Sequence, residues 1–306
     1  MWPYRLNGKL LSDYGIIEGQ VEGSNIAIAG AWDMPSRIGK IYHDWADDNG
    51  IEPYLRGDEM FFGGRNITFA GFILVNSKEE ALQRVYSFLD DIDAFNGLVP
   101  FEGELGAWNV YVSTEIKVDF DYDNNVGIVN FTFREPIVDL SGMVPPVSDP
   151  FTTGIDNISF PDLGVCTLSF EGDLNRPQPK QQVYTSYDKE GFQVTKRDFR
   201  TIVMKGFIKT ESYESFITIL KGLYALFSSP GARTLHMPDN TVREFFLKDG
   251  FRVSNVEILE DEVFALIEIP MSEIRMLENW NKLTDSTGLM LVDKYGRPLT
   301  EILKDF

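Results

Sequence analysis

The densest run of groups able to do chemistry is Asp119-x-Asp121-x-Asp123, with carboxylates at every second position. Calcium loops of the helix–loop–helix kind want Gly at their sixth position and Glu at their twelfth. Those positions are Asn124 and Asn130 here, and the spacing equally fits the outward face of a strand. A solvated strand face is therefore expected, and no metal is assigned. His43, His236 and Cys166 lie far apart in the chain, without zinc-ligand spacing or the flanking signature of a Cys/His nucleophile. Cys166 alternates with Leu168 and Phe170, which reads as a small buried residue. Asp90, Asp91 and Asp93 fall late in a helical pattern, where acids oppose the helix dipole. A solvated helix end accounts for them, with a charged rim facing an opening as the alternative. Gly63-Gly64 precedes a strand and is followed by neither Lys-Ser/Thr nor a helix, so it is a turn and not a phosphate loop. Paired acids for glycoside hydrolysis could be drawn almost anywhere from 47 carboxylates, which nominates none. No catalytic residue or cofactor is assigned.

The composition narrows the field further. A length of 306 residues suits two domains of about 150. With 43% hydrophobic and 13% aromatic residues the chain can bury a real core. Its 47 acidic against 28 basic side chains leave a net charge of −19, a surface that repels phosphate and disfavours a protein that grips nucleic acid. An acidic channel wall is a different case, because repulsion there keeps a passing polyanion from sticking. One cysteine excludes an internal disulfide. Met1-Trp2-Pro3-Tyr4-Arg5 lacks the apolar stretch of a secretory signal, and no run approaches the roughly 20 apolar residues of a membrane helix. Synthesis in the cytosol without membrane insertion is the expectation.

The elements repeat. RNITFAGFILVNSKEEAL from Arg65 and RTIVMKGFIKTESYESFI from Arg200 match without gaps at seven of eighteen positions: Arg65/Arg200, Ile67/Ile202, Gly71/Gly206, Phe72/Phe207, Ile73/Ile208, Ser77/Ser212 and Glu79/Glu214. Ordinary residue frequencies give roughly one match. Each block reads as an alternating strand, then a capping Ser, then a helical pattern; Ser77 with Glu80 has capping-box spacing. Ala81, Leu82, Val85, Leu89 and Ile92 form one helical face, and Phe216, Ile217, Ile219, Leu220 and Leu223 follow in the same style. Strands are expected over 108–113, 115–123 and 126–134, closing at Pro136, and over 242–247, 251–259 and 262–269, closing at Pro270. In the first set Ile116, Val118, Phe120 and Tyr122 face one way and four charged residues the other, with Asp123-Asn124-Asn125 as the turn.

Asp13-Tyr14-Gly15-Ile16 and Asp162-Leu163-Gly164-Val165 are read as the openings of the two units. The expected fold is mainly β with one helix per unit (α+β), as two tandem barrel or sandwich domains. The first unit spans 1–140 with a long loop at 31–64, and the second spans 159–272. A linker at 141–158 is marked by Pro145-Pro146 and Ser148-Asp149-Pro150, and an extension at 273–306 carries the turn signal Tyr295-Gly296-Arg297-Pro298.

This order of elements, with the Asp13-Tyr14-Gly15-Ile16 opening, the Arg65-Asn66-Ile67-Thr68 strand, a helix, an acidic-faced hairpin and a closing strand, resembles the tail-tube-type domain of phage distal tail proteins and baseplate hubs. The resemblance implies domains packed side by side into a ring around a DNA exit channel in the tail of a virion. The chain would be a structural component joining tail tube to tip, with other tube and tip proteins as partners and DNA only as passing cargo. Two domains per chain would fill a six-domain ring as a trimer with pseudo-sixfold symmetry, or stack two rings as a hexamer. Many distal tail proteins carry a carbohydrate-binding-like second domain; here the second half repeats the first, which puts direct host-sugar binding in doubt. The alternative reading is a soluble two-domain β-sandwich that binds glycans.

The loop at 31–64 holds Trp32, Tyr42, Trp45, Tyr54, Phe61 and Phe62 among many Asp and Gly residues. A purely exposed loop of that length is uncommon. Either it folds back on its own domain or its aromatics anchor a neighbouring subunit. The resemblance favours the second, which makes these six residues the candidates for subunit contact.

Overall fold

The computed structural model describes residues 3–45, 49–75, 77–114, 116–121, 126–148, 153–177, 179–186, 188–239, 241–274, 280–282 and 300–302. The expected turns at 123–125 and 295–298 lie outside them, as do Tyr122 and Asp149-Pro150.

The first unit is built from β1 (Ile16–Glu18), β2 (Arg65–Leu74), α1 (Lys78–Asp93), β3 (Val99–Gly103), β4 (Gly106–Val112), β5 (Lys117–Asp121) and β6 (Val126–Glu135). The second comprises β7 (Cys166–Glu171), β8 (Thr201–Thr210), α2 (Tyr213–Ser228), β9 (Arg233–His236), β10 (Val242–Phe246), β11 (Arg252–Ile258) and β12 (Val263–Glu273). Each unit forms one large antiparallel sheet. In the first, a short hairpin of Arg5–Leu6 and Lys9–Leu10 leads to β3, β4, β6, β2 and β1, with β5 also on β6. In the second, Gly154–Ile155 and Ile158–Ser159 lead to β9, β10, β12, β8 and β7, with β11 also on β12. The first sheet has one strand more, Ile28–Ala29 on β2 where the second has the far end of β7; otherwise the connectivity is the same, so the mainly-β, two-unit architecture and the duplication both hold. The units begin one hairpin earlier than Asp13 and Asp162. Those residues instead form the turns that follow, closed by Gly15 at φ 75° and Gly164 at φ 73°, and the second sheet takes up the chain at Gly154, inside the stretch read as linker.

Local chemistry explains the shared frame. Ser77 Oγ accepts the Glu80 backbone N–H and Ser212 Oγ the Ser215 N–H, each at 3.2 Å, so both helices start on a serine cap. The paired long strands run in one register, Gly71 opposite Val129 and Gly206 opposite Ile267. Both glycines are tight: a Cβ at Gly71 would lie 2.7 Å from the Phe69 ring, and one at Gly206 would lie 2.6 Å from the Cys166 carbonyl. The first core is aromatic. Phe69 and Phe131 stack at 5.7 Å, Phe101 and Phe133 lie at 4.8 Å, and Phe88 of α1 meets Phe131 at 4.7 Å.

Phe88 replaces Leu82 in the inward face expected for α1; Leu82 is 42% exposed. Cys166 also departs from expectation. It is exposed: β7 is the end strand of its sheet among the described residues, with a register shift between Thr167 and Ser169. Strand β12 continues through Pro270 to Glu273, since Pro270 falls between the stretch that pairs β11 and the stretch that pairs β10. A two-stranded hairpin of Pro179–Ser186 and Lys189–Arg197 is inserted between β7 and β8.

At the far end of both long strand pairs sits a buried ion pair. Arg65 Nε donates to Glu135 Oε2 at 2.6 Å, and Arg200 Nε to Glu273 Oε2 at 2.8 Å. Glu273 also receives Arg243 at 3.2 Å and is 2% exposed. Glu273→Ala leaves two buried guanidinium groups without their carboxylate and should cost about 3–5 kcal/mol. Glu135→Ala should cost less, because it strands one guanidinium where Glu273→Ala strands two. Urea unfolding of the two variants measures the difference, and equal losses would contradict it.

Candidate assembly interface

The connection from β1 to β2 is long because it leaves its own sheet. Ile28–Ala29 first pairs with β2, and a tight turn follows, closed by an Asp33 N–H to Gly30 O bond of 3.3 Å, with Gly30 at φ 76°. A Cβ there would lie 2.2 Å from the Asn66 carbonyl, so only glycine fits. The turn thrusts Trp32 between the units, where it is 3% exposed. Its ring meets Tyr213 and Phe216 of α2 edge-on at 6.4 and 6.1 Å, and its indole Nε1 donates to the Tyr213 hydroxyl at 3.0 Å. That hydroxyl donates in turn to the Leu105 carbonyl of the first unit at 2.5 Å. The Tyr224 hydroxyl donates to the Trp32 carbonyl at 2.5 Å and accepts from Arg65 Nη1 at 3.2 Å. Every polar atom in this apolar wedge therefore named has a partner, which is what burial of such groups requires. Burial pushes the Tyr213 phenol up to about 12 and raises that of Tyr224 as well, so both stay protonated donors.

Beyond Trp32 the loop runs along the outer edge of β11. Asp33 Oδ1 accepts the Val253 N–H at 2.7 Å, the Met34 N–H donates to the Phe251 carbonyl at 2.9 Å, and the Arg37 N–H donates to Lys248 O at 2.8 Å. Gly250, at φ 70°, lets the Met34 carbonyl pass where a Cβ would sit 2.0 Å away. Further on, Ile51 packs with Phe246 and Ile274, and Tyr42 meets Phe199 at 5.6 Å. The Lys180 ammonium binds the carbonyls of Trp45 and Gly50 at 3.0 and 2.8 Å and the Asp44 carboxylate. The loop thus packs on the second unit of its own chain, a destination neither sequence reading contained.

The six aromatic candidates divide accordingly. Trp32 is buried inside the chain, and Tyr42, Tyr54 and Phe62 are half-buried, Phe62 against the main core. Trp45 and Phe61 are 52% and 58% exposed; Trp45 lies 4.0 Å from the His43 ring and bonds Glu52 at 2.8 Å. Of the residues that receive Trp32, Phe216 lies on the helical face expected from the sequence, whereas Tyr213 and Tyr224 were not singled out. The available signal was two tyrosines eleven residues apart, three helical turns, on a helix that already carries a full apolar face elsewhere.

The groups weighed for chemistry stay apart. His236 is buried, His43 lies beside Trp45, and Cys166 is on an outer strand. Asp119 is exposed on β5, and Asp123 lies outside the described residues. Asp91 accepts from Lys9 at 3.0 Å and from Tyr14 at 2.5 Å, and those bonds hold its carboxyl below the usual range. Among the described residues no group of three His, Cys, Asp or Glu side chains could hold a metal ion, and no helix is long and apolar enough to cross a membrane.

No protein-family model matches the chain, and no curated protein does. Among solved structures it is similar to the crystal structure of the SPP1 Dit protein, described as a paradigm of the hub adsorption apparatus in phages that infect Gram-positive bacteria. The match covers 89% of this chain and 99% of that one, at 8% identity and a TM-score of 0.34. A likeness that distant leaves function to be reasoned from the chain's own surfaces.

Burial raises the pKa of Asp33, opposed by the Val253 N–H and the nearby Arg65 and Arg252. A raised carboxyl contributes stability that is complete below its ordinary value of 3.8 and is lost as pH rises through the folded value. Asp33→Asn keeps an oxygen for the Val253 N–H and removes the charge. Stability to urea, followed from pH 3.5 to 7, should therefore fall less with rising pH in the variant than in the parent; parallel curves would refute this.

Proposed function

We propose that this chain is a structural component of a phage or prophage-derived tail tip or baseplate ring, joining the tail tube to the tip and lining the channel through which DNA leaves. Its setting is the virion tail, its partners are further copies of itself and other tube and tip proteins, and DNA is cargo rather than ligand. The observation that carries the reading is the intrachain joint: two units of one connectivity, locked side by side by a loop that leaves one sheet to bind the next. Such a joint is a ready-made segment of a closed array, since heterologous contacts repeated by a closing rotation generate rings. The order of elements shared with tube-type domains supports the same reading, and so does the net charge of −19, which suits a wall that a polyanion must slide past.

In this role the chain acts by shape and contact rather than by catalysis. Three copies would supply six units in a pseudo-sixfold ring, and six copies two stacked rings. The exposed Trp45 and Phe61 are the remaining candidates from the long loop for contact with another chain.

Negative-stain imaging with a measured solution mass tests the proposal: rings of three or six chains are expected. A compact monomer with affinity for a sugar would overturn it in favour of a glycan-binding module. Trp45→Ala should weaken the oligomer more than the fold, read as a lowered mass at unchanged midpoint of thermal unfolding. An unaltered mass would remove Trp45 from the contact.

A further inference from the structure

The turn that carries Trp32 is present twice. Gly30-Ala31-Trp32-Asp33-Met34-Pro35 is matched by Gly172-Asp173-Leu174-Asn175-Arg176-Pro177. Both glycines are left-handed, at φ 76° and 82°, and each abuts the carbonyl of an equivalent strand residue, Asn66 or Thr201. The closing bonds agree, Asp33 N–H to Gly30 O at 3.3 Å and Asn175 N–H to Gly172 O at 3.1 Å. Each turn is also held by the arginine of the buried ion pair: Arg65 Nη1 donates to Asp33 O at 3.3 Å, and Arg200 Nη1 to Asn175 O at 3.3 Å. The same device therefore projects from both units in the same way.

Its occupancy differs. Trp32 is 3% exposed, docked on α2 and the edge of β11, whereas Leu174 is 88% exposed. The surface that would receive Leu174 by the same operation is the outer face of α1 and the edge of β5 in a first unit. That surface is open. Leu82, equivalent to Ile217, is 42% exposed, and Tyr86 beside it is 60% exposed. Among the described residues β5 pairs only with β6. By register Val118 of β5 stands where Val253 stands on β11, opposite the residue that faces the shared glycine.

Resting on the ring reading, we infer that Leu174 is the hook between chains: it docks on the Leu82 and Tyr86 face of α1 in a second copy of this chain, the face equivalent to Ile217 and Lys221, which line the cavity at Trp32. Asn175 takes the place of Asp33 at the Val118 N–H. Arg176 takes that of Met34, whose backbone N–H meets Phe251, a position that corresponds to Ile116 beside β5. The joint is heterologous, so every chain carries one hook and one receiving face, and among the described residues neither is covered.

Complementary variants test this. Leu174→Asp removes the hook and Leu82→Glu the receiving face; both side chains are exposed, and circular dichroism checks that each variant folds. By light scattering each variant alone should lose the oligomer and run near the 34.8 kDa of one chain. An equimolar mixture retains one good hook facing one good surface and should give a dimer and nothing larger. If the parent forms rings and either variant forms them equally well, or if the mixture fails to pair, the hook assignment is wrong while the ring stands. If the parent is itself a monomer, the ring and the hook fall together.

Discussion

The Arg65–Glu135 and Arg200–Glu273 pairs hold together two things that would otherwise be independent, the sheet and the turn that leaves it. Each arginine spends one side of its guanidinium on a carboxylate across the longest strand pair and another on the carbonyl of the projecting turn. A planar fork with donors in fixed directions can do this, and a lysine ammonium could not fix the same angle. Such pairs add little net stability against an apolar replacement, because desolvating two charges offsets their attraction. Their physical value lies in orientation: the turn has one permitted direction relative to the sheet.

That orientation makes the joint between units directional. The first unit offers a turn and the second offers a helix face and a strand edge, so contact runs from one to the next without a two-fold axis. Tyr213 and Tyr224 show how the second helix is adapted to it, each giving a hydroxyl to a carbonyl of the first unit while its ring fills apolar space. Helix α1 lacks both tyrosines, with Lys78 and Leu89 at the equivalent positions. The two copies differ here where one is covered within the chain.

Much of this was legible in the residues. The strand–Ser–helix blocks could be aligned because alternation and capping are local, and local signals survive divergence. The buried face of β5 and β6 was readable for the same reason, with Ile116, Val118 and Phe120 packed on the core beside buried Val129, Phe131 and Phe133. The second turn escaped because it lies 142 residues from the first while the blocks lie 135 apart, and an ungapped comparison cannot see both. Cys166 was misread because alternation identifies the two faces of a strand but not whether a second layer covers one. The 179–197 hairpin went unnamed, since its polar run carries few alternating apolar residues. The destination of the long loop depends on contacts about 130 to 220 residues distant, which no window along the chain contains.

That separation has a consequence for how the molecule comes into being. Asp33 and its partner Val253 are 220 positions apart, so a ribosome adding roughly 5–20 residues per second completes the receiving surface some 10–40 s after Trp32 emerges. Through that interval the indole and Met34 stand on the nascent chain with nothing to bury them. A finished copy nearby has its own groove already filled, which protects it from capture, but two nascent chains that meet late can exchange turns and leave the polysome entwined. Slow, uncrowded synthesis of this protein is thereby favoured over rapid overproduction.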